Sequence, residues 1–247
     1  MKSVWNSPPP DLELSPDHID VWQIPLGPPM QIERCRTLLS WEELERCKVF
    51  KSEKRLREFI ICRGLLRLLI ARYLDTDPST LDIAYTKHRK PYLPAASLGV
   101  PISFNITHSH NLALIALTLE RMIGVDIEYI RHNVEFRKLA KRFFSKQESR
   151  ALDAYDDTFL PAAFFACWTR KEAFVKALGD GIAFGLADFS VSIDPRDRDV
   201  TLQTDGNTNG AGRWSIINLD IGSDYAAAVA ADGESFKLRS WKSDIRP

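Results

Sequence analysis

One series of local signals is written twice in this chain, and it restricts the fold more than any other feature. Ser40, with Glu43 three residues on, has the form of a capping box, in which each side chain takes the other residue's backbone N–H at a helix start. A helical run follows over residues 54–74, where Phe59, Leu66, Ile70 and Tyr73 recur at spacings of seven, four and three and arginines interleave. Asp77-Pro78 ends it. A strand at 81–86 and a strand pair at 102–107 and 112–119, turned at Ser109-His110-Asn111, complete the series. Ser145 and Glu148 open a second box about 105 residues later. A helix over 161–178, broken by Gly179-Asp180-Gly181, a strand at 189–193 and a strand pair at 213–219 and 225–231 then repeat the order. The repeat is one of pattern, not identity. It predicts two similarly folded α+β halves, with the division expected between 1–120 and 121–247.

At roughly 100–200 residues per domain, 247 residues hold one large domain or two small ones. A 45% hydrophobic and 27% charged composition excludes a disordered tail or a collagen-like fibre. Lys and Arg total 33, as do Asp and Glu, so the basic surplus that draws a protein to nucleic acid or an anionic membrane is missing. Neither is expected as a partner. Cys35, Cys47, Cys62 and Cys167 lack CxxC spacing and read as reduced core thiols. No run approaches the ~20 apolar residues of a membrane span, and the start carries no apolar signal core, so a cytoplasmic location is expected. Residues 19–24 read as a strand after a proline-rich lead-in, and the Asp-, Asn- and Gly-rich stretch 194–212 as a mobile surface excursion.

Three short stretches carry the chemistry. In IGVDIE (123–128) the alternation of a strand puts Asp126 and Glu128 on one face. They either pair with cations or line a solvated face. In WTRKEAFVK (168–176) a helix puts Trp168, Glu172 and Lys176 on one face; a plain Glu–Lys surface pair is the alternative. In FNITHSH (104–110), His108 at a strand end either donates to a phosphate or makes a structural hydrogen bond. Taken together, Asp126, Glu128 and Glu172 form an all-oxygen set suited to Mg²⁺. Lys90, Lys171, Lys176 and His108 are plausible phosphate partners. A hard cation with basic side chains and no nucleophilic motif points to phosphoryl-type transfer. Neither GxxxxGK[ST] nor GxGxxG occurs, so a P-loop or Rossmann turn is excluded.

The blocks FNITHSH, IGVDIE, KRFFSKQE (141–148) and WTRKEAFVKALGDGI (168–182), with the loop RKPYLP (89–94), resemble the single-chain 4′-phosphopantetheinyl transferases of the surfactin-synthetase-activating type. The resemblance covers roughly residues 40–193. Thr107 replaces the commoner Ser of the N-x-S-H motif, and Arg89-Lys90 stands where many members have Gly-Lys. It implies a pseudo-two-fold pair of α+β subdomains, each with a long helix packed on a small antiparallel sheet, and an active site between them. It implies holo-acyl-carrier-protein synthase activity: the phosphopantetheine arm of coenzyme A passes to a serine of an acyl or peptidyl carrier protein, releasing adenosine 3′,5′-bisphosphate. Carried over, Asp126, Glu128 and Glu172 hold Mg²⁺, and Glu172 also takes the serine proton. Lys176 meets the phosphates, with Lys90, Thr107, His108 and Lys171 as further coenzyme contacts. Arg46, Lys48, Arg57 and Arg63 are candidates for the 3′-phosphate. Glu148 matches an acidic position beside the site.

Phe136, Leu139, Ala140 and Phe143 recur at helical spacing with Arg137, Lys138, Lys141 and Arg142 among them. This is either an amphipathic helix with a solvated basic face or, with Glu148, the dock for an acidic carrier. One chain supplies both halves of the site, so a monomer suffices. A silent coenzyme A-binding module of the same fold is the alternative function.

Overall fold

The computed structural model describes residues 5–26, 31–87, 90–94, 101–179, 185–204 and 214–243. Arg89, Asp180, Gly181 and Ile182, named above, lie outside them. The first half runs β1 (His18–Pro25), α1 (Gln31–Thr37), α2 (Trp41–Cys47), α3 (Glu53–Leu74), β2 (Ala84–Tyr85), β3 (Pro91–Tyr92), β4 (Ile102–Ser109) and β5 (Leu112–Leu119). The second begins with β6 (Ile123–Tyr129), α4 (Phe136–Phe143), α5 (Lys146–Asp153) and α6 (Leu160–Leu178). It continues with β7 (Phe189–Val191), β8 (Asp199–Val200), β9 (Leu202–Thr204), β10 (Trp214–Asn218), β11 (Tyr225–Asp232) and β12 (Lys237–Lys242).

The two four-stranded sheets have the orders β12-β1-β5-β4 and β6-β11-β10-β8. In each, the strand preceding the long helix lies beside the last strand of the following pair, and all three pair antiparallel. β1, α3, β4 and β5 therefore correspond to β6, α6, β10 and β11, an α+β fold with the same topology in both halves. The helix ends obey local chemistry. Ser40 and Ser145 both cap within complete capping boxes, and α6 stops at Gly179, whose φ of 77° is the left-handed conformation that glycine adopts without a Cβ penalty.

Both sheets are covered on both faces, which is why β5 and β11 read as unbroken apolar runs rather than alternating ones. Ala113, Ile115 and Leu117 face α3 with Trp22 and Phe104, while Leu114 and Ala116 meet Val125, Ile127, Ala227 and Val229 across the junction of the halves. α6 lies so close on β6 that a Cβ on Gly124 would meet the Ala173 carbonyl oxygen at 2.0 Å. That contact fixes the height of α6 over IGVDIE, and with it the placing of Glu172 and Lys176.

Three features depart from the sequence reading. The last strand, β12, returns to the first half and pairs parallel with β1, so the chain crosses the expected division at 120/121 once more. Arg239 of β12 donates to the buried Asp20, at 2.5 Å from Nε, and Tyr73 of α3 donates to the same carboxylate. The stretch 194–212 is not simply a surface excursion: Asp199–Val200 pairs with β10 and Leu202–Thr204 with β7. Its Asp and Asn content hid the Val200/Leu202 alternation; residues 205–213 lie outside the described set. The strand expected at 81–86 is confined to Ala84–Tyr85.

Candidate active site

Asp126 and Glu128 project together from β6, as the alternation predicts, but in unequal settings. Asp126 is 4% exposed. Its Oδ1 accepts from Lys176 Nζ at 2.5 Å and from Thr107 Oγ1 at 3.2 Å. Its Oδ2 is buried and has no hydrogen-bond partner. Glu128, half-buried one pleat further on, accepts from Ser109 Oγ at 3.2 Å. Glu172 stands one helical turn before Lys176 on α6 and is half-buried. The Lys176 ammonium also donates to Thr107 Oγ1 at 3.2 Å.

Burial pushes all three carboxyls above the usual carboxylate range. For Glu128 and Glu172 the next cause is the charge of Asp126, whereas Lys176 opposes the shift in each. Two carboxyls raised by the charge of Asp126, together with Asp126 itself and its buried unpartnered oxygen, form a donor set that a hard dication would satisfy. Among the described residues, no three His, Cys, Asp or Glu side chains form a ready-made metal cluster. The fit to Mg²⁺ therefore rests on donor chemistry and the Asp126 Oδ2 orphan.

The remaining candidates separate. Thr107 belongs to the cluster. His108, its neighbour on β4, points to the opposite face, where Nε2 lies 3.4 Å from Glu58 of α3. A cleft lined by Lys54, Arg57, Glu58 and His110 opens on that side. The Lys90 ammonium is engaged by backbone carbonyls. It donates to the carbonyls of Ile123, Lys176 and Ala177 at 3.2, 2.6 and 3.4 Å, capping the C-terminal turn of α6 from the first half. Burial pushes Lys90 down to about 8. A lysine depressed in the folded state is charged at neutral pH against that burial, and the cost is relieved between about pH 8 and its unfolded value near 10.4. The parent should therefore gain stability relative to Lys90→Met across that window, read from urea midpoints at pH 7.5, 9 and 10. A constant difference would mean that Lys90 titrates normally.

Lys171 and Glu148 require correction. Lys171 is 0% and Glu148 1% exposed. Lys171 Nζ lies 2.9 Å from Glu148 Oε2 and donates to the carbonyls of Leu186 and Phe189 at 2.7 and 2.5 Å. Glu148 also accepts from Ser145 N–H in the capping box and from Val191 N–H. Both are spent on interior partners and leave no polar atom at the surface for a coenzyme or carrier to meet. The helix turn that carries Lys171 beside Glu172 aims the two in different directions, so their adjacency in sequence misled. The first half repeats the device: its capping-box glutamate, Glu43, pairs in the interior with Arg67 of α3 at 2.8 Å.

The basic residues of α4 are exposed. Arg137 is tied to Asp157 at 3.0 Å and to the Tyr155 carbonyl at 3.1 Å, Lys138 to Glu135 at 3.0 Å, and Arg142 lies over the Phe143 ring. Phe143 meets Trp168 edge-on at 5.7 Å, and Phe144 stacks on Phe164. Since Trp168 is one turn before Glu172, this aromatic contact sets α4 beside the carboxylates. Sequence reasoning missed Asn105 and Ser109, which reach across from β4. The signal was present as the alternation of Asn105, Thr107 and Ser109.

Comparison with known proteins identifies the family. Residues 122–230 match the 4′-phosphopantetheinyl transferase superfamily, and residues 28–120 match the 4′-phosphopantetheinyl transferase N-terminal family. The chain is 35% identical to the 4′-phosphopantetheinyl transferase HetI of Nostoc sp., over 98% of this chain and 99% of that one. It is 30% identical to the 4′-phosphopantetheinyl transferase Sfp of Bacillus subtilis, over 83% of this chain and 87% of that one. It is 27% identical to the L-aminoadipate-semialdehyde dehydrogenase-phosphopantetheinyl transferase of Mus musculus, over 83% and 72% respectively. The chain belongs to the 4′-phosphopantetheinyl transferase superfamily, whose members are transferases with coenzyme A as donor and carrier proteins as partners. Among the described residues, no helix is long and apolar enough to cross a membrane.

Proposed function

We propose that this chain moves 4′-phosphopantetheine from coenzyme A to a serine of an apo acyl or peptidyl carrier protein, giving holo-carrier and adenosine 3′,5′-bisphosphate. The observation that carries the reading is the cluster of Asp126, Thr107 and Lys176, flanked by Glu128 and Glu172, at the junction of the two halves. Asp126, Glu128 and Glu172 would hold Mg²⁺, which when bound neutralises pyrophosphate charge. Lys176 lies within reach of the same anion and offsets the repulsion met by an incoming serine oxygen. Glu172 is suited to receive the serine proton because burial and Asp126 raise its affinity for protons. One chain supplies both halves of the site, so a monomer is sufficient. Location in the cytoplasm remains part of the proposal.

The direct test is to incubate the protein with coenzyme A, Mg²⁺ and an apo-carrier and weigh the carrier. A gain of one phosphopantetheine supports the reading; coenzyme A binding without a gain would identify a silent module instead. The dock is proposed on α4. Since Arg137 already has an acidic partner, the informative pair is Lys141→Glu with Arg142→Glu. It should raise the carrier KM several-fold at low salt, leave coenzyme A binding unchanged and flatten the salt dependence. Carrier kinetics equal to the parent's at low salt would move the dock elsewhere.

A further inference from the structure

β6 is the outer strand of the second sheet, yet its free edge is not closed by a backbone ladder. Two of its outward N–H groups are taken by side chains: Val125 N–H by Asn105 Oδ1 at 2.9 Å and Tyr129 N–H by Ser109 Oγ at 3.0 Å. Asn105, Thr107 and Ser109 are alternate residues of β4 and so present one row to β6. A row of hydroxyl and amide groups thus joins the two halves where a strand ladder would otherwise have to form.

The members of the row differ in what they hold. Asn105 accepts only from backbone, and Thr107 sits within the Asp126–Lys176 cluster. Ser109 makes one bond to the backbone and one to Glu128. Because its oxygen accepts the Tyr129 N–H, its single proton is left for Glu128 Oε2, 3.2 Å away. The geometry points to Ser109 as a positioning residue: by binding one carboxylate oxygen of Glu128 it holds the side chain in a single orientation, with the other oxygen turned to a ligand. A free glutamate side chain samples many rotamers, and a partner fixed to the neighbouring strand removes part of that freedom before any ligand arrives. Oriented partners behind a metal-binding carboxylate typically govern affinity or activity by about 10–100-fold. Ser109 does not touch the reacting atoms; it acts through Glu128.

The inference rests on the transferase reading, and the test separates the two. Mg²⁺ is titrated calorimetrically into the full chain with coenzyme A present and carrier absent, and thermal unfolding is followed alongside. For Ser109→Ala we expect Mg²⁺ affinity about 10–100-fold weaker with a cooperative transition retained. Ser109→Thr, which keeps the hydroxyl, should stay within about threefold of the parent, as a restored orienting bond requires. If Ser109→Ala fails to fold, Ser109→Cys, close in shape but a weak donor, is read by the same criterion. Parental Mg²⁺ affinity in the Ala or Cys variant, or a Thr variant as weak as Ala, would overturn the positioning role and leave Ser109 as a tie between strands. If the parent itself neither binds Mg²⁺ nor modifies a carrier, the transferase reading fails instead.

Discussion

Asp126→Asn and Glu172→Gln are each expected to lower carrier modification by roughly 10²–10³-fold, the scale on which removing one preorganised charge-stabilising group acts, while the chain stays folded. Both substitutions preserve shape and remove one negative charge. At position 126 two effects on stability oppose each other. Burial disfavours the Asp126 carboxylate, so a neutral amide relieves a desolvation cost, but the close pair with Lys176 is lost. The net change in Tm should therefore be small and the change in turnover large. Because the three carboxyls act on one charge, the double variant should be no worse than the product of the single losses and is expected to be milder. Holo-carrier formation at saturating coenzyme A, with circular dichroism melts as the folding control, measures both. Turnover by Asp126→Asn within a few-fold of the parent would remove these carboxylates from the chemistry.

The second large effect is on stability. Glu148→Ala or Lys171→Ala leaves its partner as an uncompensated charge in the interior, which typically costs about 3–5 kcal/mol. Against a total of about 5–15 kcal/mol for an ordinary domain, that is enough to deplete the folded state. Removing both charges with Glu148→Gln and Lys171→Met should recover much of the loss, because the penalty lies in the unpaired charge rather than in the missing pair. Urea unfolding of the two singles and the double measures the coupling. If the singles instead unfold like the parent and only the coenzyme A KM rises, Lys171 would be a phosphate ligand after all.

The two halves were legible because the repeated signals are local: a Ser–Glu box, helical spacing and a terminating glycine act within a turn or two of themselves. The face shared by Asp126 and Glu128, and the one shared by Glu172 and Lys176, followed from strand and helix periods alone. What failed depended on contacts distant in sequence. Lys90 and Lys171 have the residue type that a phosphate site needs, and nothing local tells that carbonyls surround both ammonium groups. Glu148 was identifiable as a capping residue, yet only packing shows that its capping oxygen also closes an interior ion pair with Lys171, while the other accepts from Val191 N–H. Ser109 and Asn105 gained their roles from a strand 20 residues away, and β12 from one 219 residues away.

That last separation bears on the order in which the protein is made. The first sheet has its helix, its core and three of its strands once β5 has formed, but its outer strand belongs to residues 237–242. Until then Asp20, 0% exposed in the finished fold, lacks the Arg239 guanidinium. A buried carboxylate without its cation disfavours closing the core around it, and pairing across so long a loop is slow. The first half is therefore expected to complete its outer edge only after the last strand is translated, by which time the second half can have formed its own sheet of β6, β11, β10 and β8.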